Sequence, residues 1–169
     1  MTIEQILTIL AETPPRIAAL TTDLAPAQLH TAPDPDEWSV NGGLAHLRSC
    51  SDVWGNYIRV ILTQETPTLQ AVSPRTWIKK TDYLELAFQS SLQAFTMQRT
   101  DLLVVLKSLT PKDWSRSAKV TRAGRVLERT VLFYTQSLAL HEQVHLEQIS
   151  LVANTMRMDQ QPPLDQVDR

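Results

Sequence analysis

Four long stretches of this chain repeat an apolar residue every three or four positions, and little interrupts them. That spacing gathers apolar side chains on one stripe of an α-helix. Glycine, which ends helices and permits tight turns, occurs only four times in 169 residues. The pattern predicts an all-α fold. The first helix spans residues 3–24, with Ile6, Leu7, Leu10, Ile17 and Leu20 on its stripe and a kink at Pro14 and Pro15. The second is capped by Ser39, whose hydroxyl can accept an orphan amide one turn in. It continues through Val40, Leu44, Leu47, Trp54, Ile58 and Ile61 to about residue 64. The third covers 82–109, through Leu86, Phe88, Leu92, Phe95, Leu102 and Leu106. The fourth starts near Arg125, just after Gly124, and ends near Met156.

A connection over residues 65–81 separates the second and third helices and is too long for a tight turn, so a crossover joins the two halves. Leu24-Ala-Pro-Ala-Gln-Leu29 after the first helix echoes Leu109-Thr-Pro-Lys-Asp-Trp114 after the third. Two helical hairpins around one core make a four-helix bundle. No segment shows convincing strand alternation, Lys119-Val120-Thr121 being too short to count. One domain over 1–156 is expected, followed by a polar, poorly ordered tail over 157–169 that holds Pro162 and Pro163.

Composition narrows the classes of function. With 43% hydrophobic residues the chain can bury a core without covalent staples, and its single cysteine, Cys50, permits no intramolecular disulfide. A lone thiol suits a reducing cytoplasm. No apolar run reaches the ~18–20 residues that span a bilayer, and residues 1–5 lack the start of a signal peptide. A net charge of −2 with scattered Lys and Arg leaves no basic footprint for nucleic acid.

The histidines carry the functional signal. His141 and His145 are four apart, on one face of the fourth helix. A stripe through Leu127, Val131, Tyr134, Leu138, His141, His145, Ile149 and Val152 runs along that face, so two imidazoles replace aliphatic residues that should face the core. Burying them unpaired is costly, because each ring has nitrogens that need partners. A divalent metal removes that cost. His46, two turns into the second helix, is the third ligand candidate, with Gly42, Gly43, Cys50 and Val53 as neighbours. Three imidazoles can close three corners of a tetrahedron and leave the fourth open to water or substrate, the arrangement of a catalytic site. His30, before Pro33, reads as loop surface.

His141-Glu142-Gln143-Val144-His145 also matches the H-E-x-x-H motif of zinc proteases. The longer metzincin pattern fails, since Gln148 and Leu151 stand where Gly and His are needed, and no Glu follows Glu147 to complete the other type. Glu142 lies about 100° around the helix from His141 and is expected at the surface or behind the ligands. Cys50, one turn beyond His46, reads as a small buried hydrophobe, Tyr57 and Tyr134 as core with hydrogen-bonded tips, and Trp38 as a staple before the second helix. Arg48 and Arg59 read as solvated, although either could attract an anion.

Glu37-Trp38-Ser39-Val40, Leu44-Ala45-His46-Leu47, Gly124 followed by Leu127, and His141-x-x-x-His145-x-x-Gln148-Ile149 together resemble the DinB-like (YfiT-like) superfamily. The resemblance reaches from the first helix to about Leu151. It implies a four-helix bundle with a long connection after the second helix, a divalent metal on His46, His141 and His145, and homodimers. Relatives include metal-dependent transferases that attach low-molecular-weight thiols to electrophiles, a thiol-dependent isomerase, and members described only as metal-dependent hydrolases. Two expectations follow. One is an enzyme whose metal activates a thiol or a water against a small-molecule substrate; the other is a non-catalytic, stress-associated dimer that binds a metal or a small molecule. Zn, Ni and Fe(II) all accept imidazole, so the native metal stays open.

Overall fold

The computed structural model describes residues 1–159; most of the expected tail, from residue 160 on, lies outside the described residues. Helix α1 (Ile3–Thr21) opens with a capping box in which the Thr2 and Gln5 side chains each pair with the other's backbone amide. It is a single element that contains Pro14 and Pro15. Prolines there cannot donate to the carbonyls one turn back. Beside them, the Thr13 hydroxyl also donates to the Ile9 carbonyl, at 2.9 Å. A short α2 (Pro26–His30) follows, with His30 exposed as expected.

Helix α3 (Val40–Thr63) begins where the Ser39 hydroxyl accepts from the Gly42 amide at 3.0 Å. The crossover then carries strand β1 (Thr68–Gln70) and helix α4 (Pro74–Trp77), which runs into a 3-10 turn at Ile78–Lys80. Helix α5 (Phe88–Lys107) starts six residues later than its periodicity suggests. Asp52 of α3 ties this crossover down: it accepts from Trp77 Nε1 (3.0 Å), the Tyr83 hydroxyl (2.8 Å) and Gln98 Nε2 (2.6 Å).

After α6 (Pro111–Trp114) the chain departs from the all-α expectation. Strands β2 (Ser117–Arg122) and β3 (Arg125–Thr130) form an antiparallel hairpin, and β1 adds to β2 in parallel, giving the sheet order β1-β2-β3. Ala123 (φ 47°) and Gly124 (φ 75°) both lie in the left-handed region that a two-residue hairpin turn requires. The strand signal is faint because only Ala118 and Val120 of β2 are buried, and much of β3 faces outwards. Gly124 therefore turns a hairpin, and the last long helix, α7 (Val131–Met158), starts six residues after Arg125, capped by the Thr130 hydroxyl.

The four long helices form the bundle, but not as two hairpins. Helix α7 packs on α1 and α3, and α5 packs on the same two, so α1 stands across a diagonal from α3, and α5 from α7. One half of the core gathers Ile6, Leu10, Ile58, Ile61, Leu106 and Leu138; the other gathers Ile17, Leu44, Leu47, Phe95, Leu146 and Ile149. No helix among the described residues is long and apolar enough to cross a membrane.

Candidate metal centre

Helices α3 and α7 pack tightly at Gly43. A Cβ there would stand 3.0 Å from Ile149 Cγ1, so only glycine lets the two helices approach this far. One turn on, His46 faces His141 and His145 across the seam. His141 Nε2 lies 2.8 Å from His46 Nε2 and 3.1 Å from His145 Nε2. A ring nitrogen carries either one hydrogen or one lone pair, so His141 Nε2 cannot make two good hydrogen bonds to two other such nitrogens. A cation among them would satisfy all three. Tetrahedral ligation at about 2.0–2.1 Å sets neighbouring nitrogens about 3.3 Å apart, close to what is seen.

Cys50 also reaches this point, its Sγ being 3.5 Å from His46 Nε2. The ligand atoms of His46, Cys50 and His141 all lie within 4.8 Å of one another, a set able to hold a metal ion. Burial first, then the negative charges of Glu142 and Asp52, push the Cys50 thiol up to about 12. Those carboxylates oppose a thiolate, whereas His145 needs no deprotonation to offer a lone pair.

A family model of the DinB superfamily matches residues 9–149. The chain belongs to the DinB superfamily. Among solved structures it is similar to YfiT from Bacillus subtilis, described as a probable metal-dependent hydrolase with an unusual four-helix bundle topology. The two are 18% identical with a TM-score of 0.78, over 93% of this chain and 87% of that one. No curated protein matches the chain.

In this DinB-superfamily chain, burial keeps His46, His141 and His145 neutral. It drives His46 down to about 3 and His145 down to about 4, and it lowers His141. The neighbouring imidazoles push His46 and His145 down further, and the Arg75 charge acts on all three. Metal-bound histidines usually donate their second ring N–H to a carboxylate or carbonyl. Here the Nδ1 atoms of His46 and His145 are buried without such a partner among the described residues. Packing orients the rings instead. Trp38 meets His46 edge-on at 4.7 Å and stacks on His145 at 6.0 Å; Trp54 meets His141 edge-on at 5.3 Å. Trp38 is thus a wall of the site, 39% exposed, and not a staple.

Other expectations change too. Glu142 is neither at the surface nor behind the ligands. It is 1% exposed in the bundle core and pairs with Arg99 of α5, so it cannot serve the histidines as a protease base. Arg48 is buried, donating to Ser91 at 2.8 Å under the Tyr83 ring. Tyr57, by contrast, is buried with a hydrogen-bonded tip as expected: its hydroxyl donates to the Gln70 carbonyl and accepts from the Val72 amide. Arg75 was invisible in sequence, since it lies in the crossover. It lines a cavity of about 340 Å³ with Trp38, His145 and Gln148. Arg99 did leave a signal: it breaks the apolar row Leu92, Phe95, Leu102, Leu106.

Proposed function

We propose that this chain is a metal-dependent enzyme whose divalent cation is held by His46, His141 and His145, with Cys50 as an inner wall. The observation that carries the reading is the convergence of three neutral Nε2 atoms that hydrogen bonding cannot satisfy together. When bound, such a cation lowers the pKa of a water or a thiol and so supplies a nucleophile at neutral pH. The description of YfiT as a probable metal-dependent hydrolase supports the same class. The chain's own residues shape the rest: Trp38 and Trp54 exclude water from the ligand rings, and Arg75 presents a positive charge to a substrate arriving beside His145. The substrate is a small molecule, and the reaction is hydrolysis or transfer of a low-molecular-weight thiol to an electrophile, in the cytoplasm. Zn, Ni and Fe(II) all suit the donor set.

The test is elemental analysis of protein made without a polyhistidine tag. The wild type is expected to hold about one metal per chain, and His141→Ala only traces, while Cys50→Ser keeps its metal. Unchanged metal in the His141 variant refutes the centre; loss in the Cys50 variant replaces His145 by the thiol. Assays of ester hydrolysis and of electrophile conjugation with several thiols then separate the two reactions, and metal without turnover favours a binding protein.

The chain is further proposed to form a homodimer through α7. Leu140, Val144 and Leu151 are exposed there, and their spacing puts them along one line of the helix. Sedimentation at twice 19.1 kDa is the expected result.

A further inference from the structure

Beyond the histidines, the cleft between α3 and α7 widens into a cavity of about 460 Å³ roofed by the hairpin. That volume lies within the range of small-molecule sites. Alternation along the strands decides what faces it. Ala118, Val120 and Arg122 share one face of β2, and their register partners Arg129, Leu127 and Arg125 share that face on β3. From this row Val120, Arg122, Leu127 and Arg129 line the cavity, opposite Trp54 and Tyr134. A face that only packed on the bundle would be apolar throughout. Instead it brings two guanidinium groups to an aromatic chamber with no carboxylate in its lining.

Neither arginine is neutralised by a carboxylate of the protein: among the described residues neither forms an ion pair. Arg129 lies 4.3 Å from the Phe133 ring centre and gives one hydrogen bond, Nη1 to the Glu128 carbonyl at 3.2 Å, which leaves most of its donors unused. The apolar walls are open as well: Leu127 is 37% and Phe133 42% exposed. Positive charge without a counter-charge, beside open aromatic surface, is complementary to an anion with a flat apolar body.

We infer that this cavity binds an organic anion, an aromatic carboxylate, drawn in by the Arg122 and Arg129 charges and held by a guanidinium of that row, with its ring against Trp54, Tyr134 and Phe133. A guanidinium grips a carboxylate through two parallel hydrogen bonds, which a lysine could not reproduce. Trp54, at the inner end, is also the residue packed on His141, so the bound molecule points its far end at the histidines. That last step alone rests on the metal centre proposed above; the anion site itself does not.

The probe is 2-naphthoate against its neutral counterpart 2-naphthylmethanol, followed by calorimetry and tryptophan quenching on the full chain. Naphthoate is expected to bind saturably, one per chain, and at least tenfold more tightly than the alcohol. Arg122→Gln with Arg129→Gln should erase that difference, and Arg129→Lys should lose part of it. Lys119→Gln, on the opposite face of β2, should change nothing. Equal affinity for acid and alcohol, no saturable binding at low millimolar naphthoate, or an unaltered ratio in the double variant overturns the assignment. His141→Ala is measured in the same series. Loss of metal there with naphthoate binding intact supports both readings, whereas retained metal sinks only the metal centre.

Discussion

Three imidazoles meet at His141, and their burial has a consequence for stability. An unfolded histidine takes up a proton near pH 6.5, but His46 and His145 resist protonation in the fold down to about 3 and about 4. Between those limits the unfolded chain binds more protons, so stability falls as the pH drops through that window. Metal-free protein should therefore show a falling Tm from pH 7 to 4. A variant with His46→Gln and His145→Gln should show a shallower fall over the same range, read by thermal denaturation. Equal slopes would mean that carboxylates elsewhere account for the whole effect. The pair His141 and His145 was legible from its spacing on the fourth long helix, and His46 from its place two turns into the second. What orients them was not: Trp38 and Trp54 touch the rings only because the chain before α3 and the second turn after His46 converge on the same cleft.

At the level of elements, the seam between α3 and α7 depends on Gly43. Alanine there raises helix propensity by up to about 1 kcal/mol. Its Cβ must also push Ile149 aside, and overpacking of that kind costs about 1–3 kcal/mol. The seam opens at the point that sets the distance from His46 to the histidine pair. Gly43→Ala is expected to weaken metal binding about tenfold, and Ile149→Ala in the same chain to restore part of it, as measured by competition with a chelator. The long helices were readable because each has a stripe of apolar residues, but α5, preceded by Ala87 with no capping side chain, had no signal for its start. The hairpin was not, because β2 and β3 present few buried apolar side chains and gain their order from pairing with each other and with distant β1. That error moved the start of the last helix, and it hid the arginine-lined cavity.

Across the whole molecule, one polar cluster joins all four long helices. Arg99 of α5 pairs with Glu142 of α7 and donates to Ser51 of α3 at 3.1 Å, and Thr13 of α1 lies beside Glu142. Burial raises the Glu142 carboxyl, and Arg99 opposes that rise. Removing one partner leaves the other charge buried and alone, at about 3–5 kcal/mol, whereas replacing both by apolar residues of similar volume is often neutral. Arg99→Met alone should lower the urea midpoint sharply, and Arg99→Met with Glu142→Leu should recover most of it. A double variant as unstable as the single one would show that the pair is needed for the fold itself.

By itself the sequence determined which segments become long helices and that His46, His141 and His145 are unusual among core-facing positions. Both follow from local periodicity, which the backbone geometry of a helix converts directly into faces. Tertiary structure decided the diagonal arrangement of the helices, the three-stranded sheet, the arrival of Cys50 and both tryptophans at the histidines, and the burial of Glu142 against Arg99. Those outcomes depend on which distant faces meet, and a one-dimensional pattern states the faces without stating their partners.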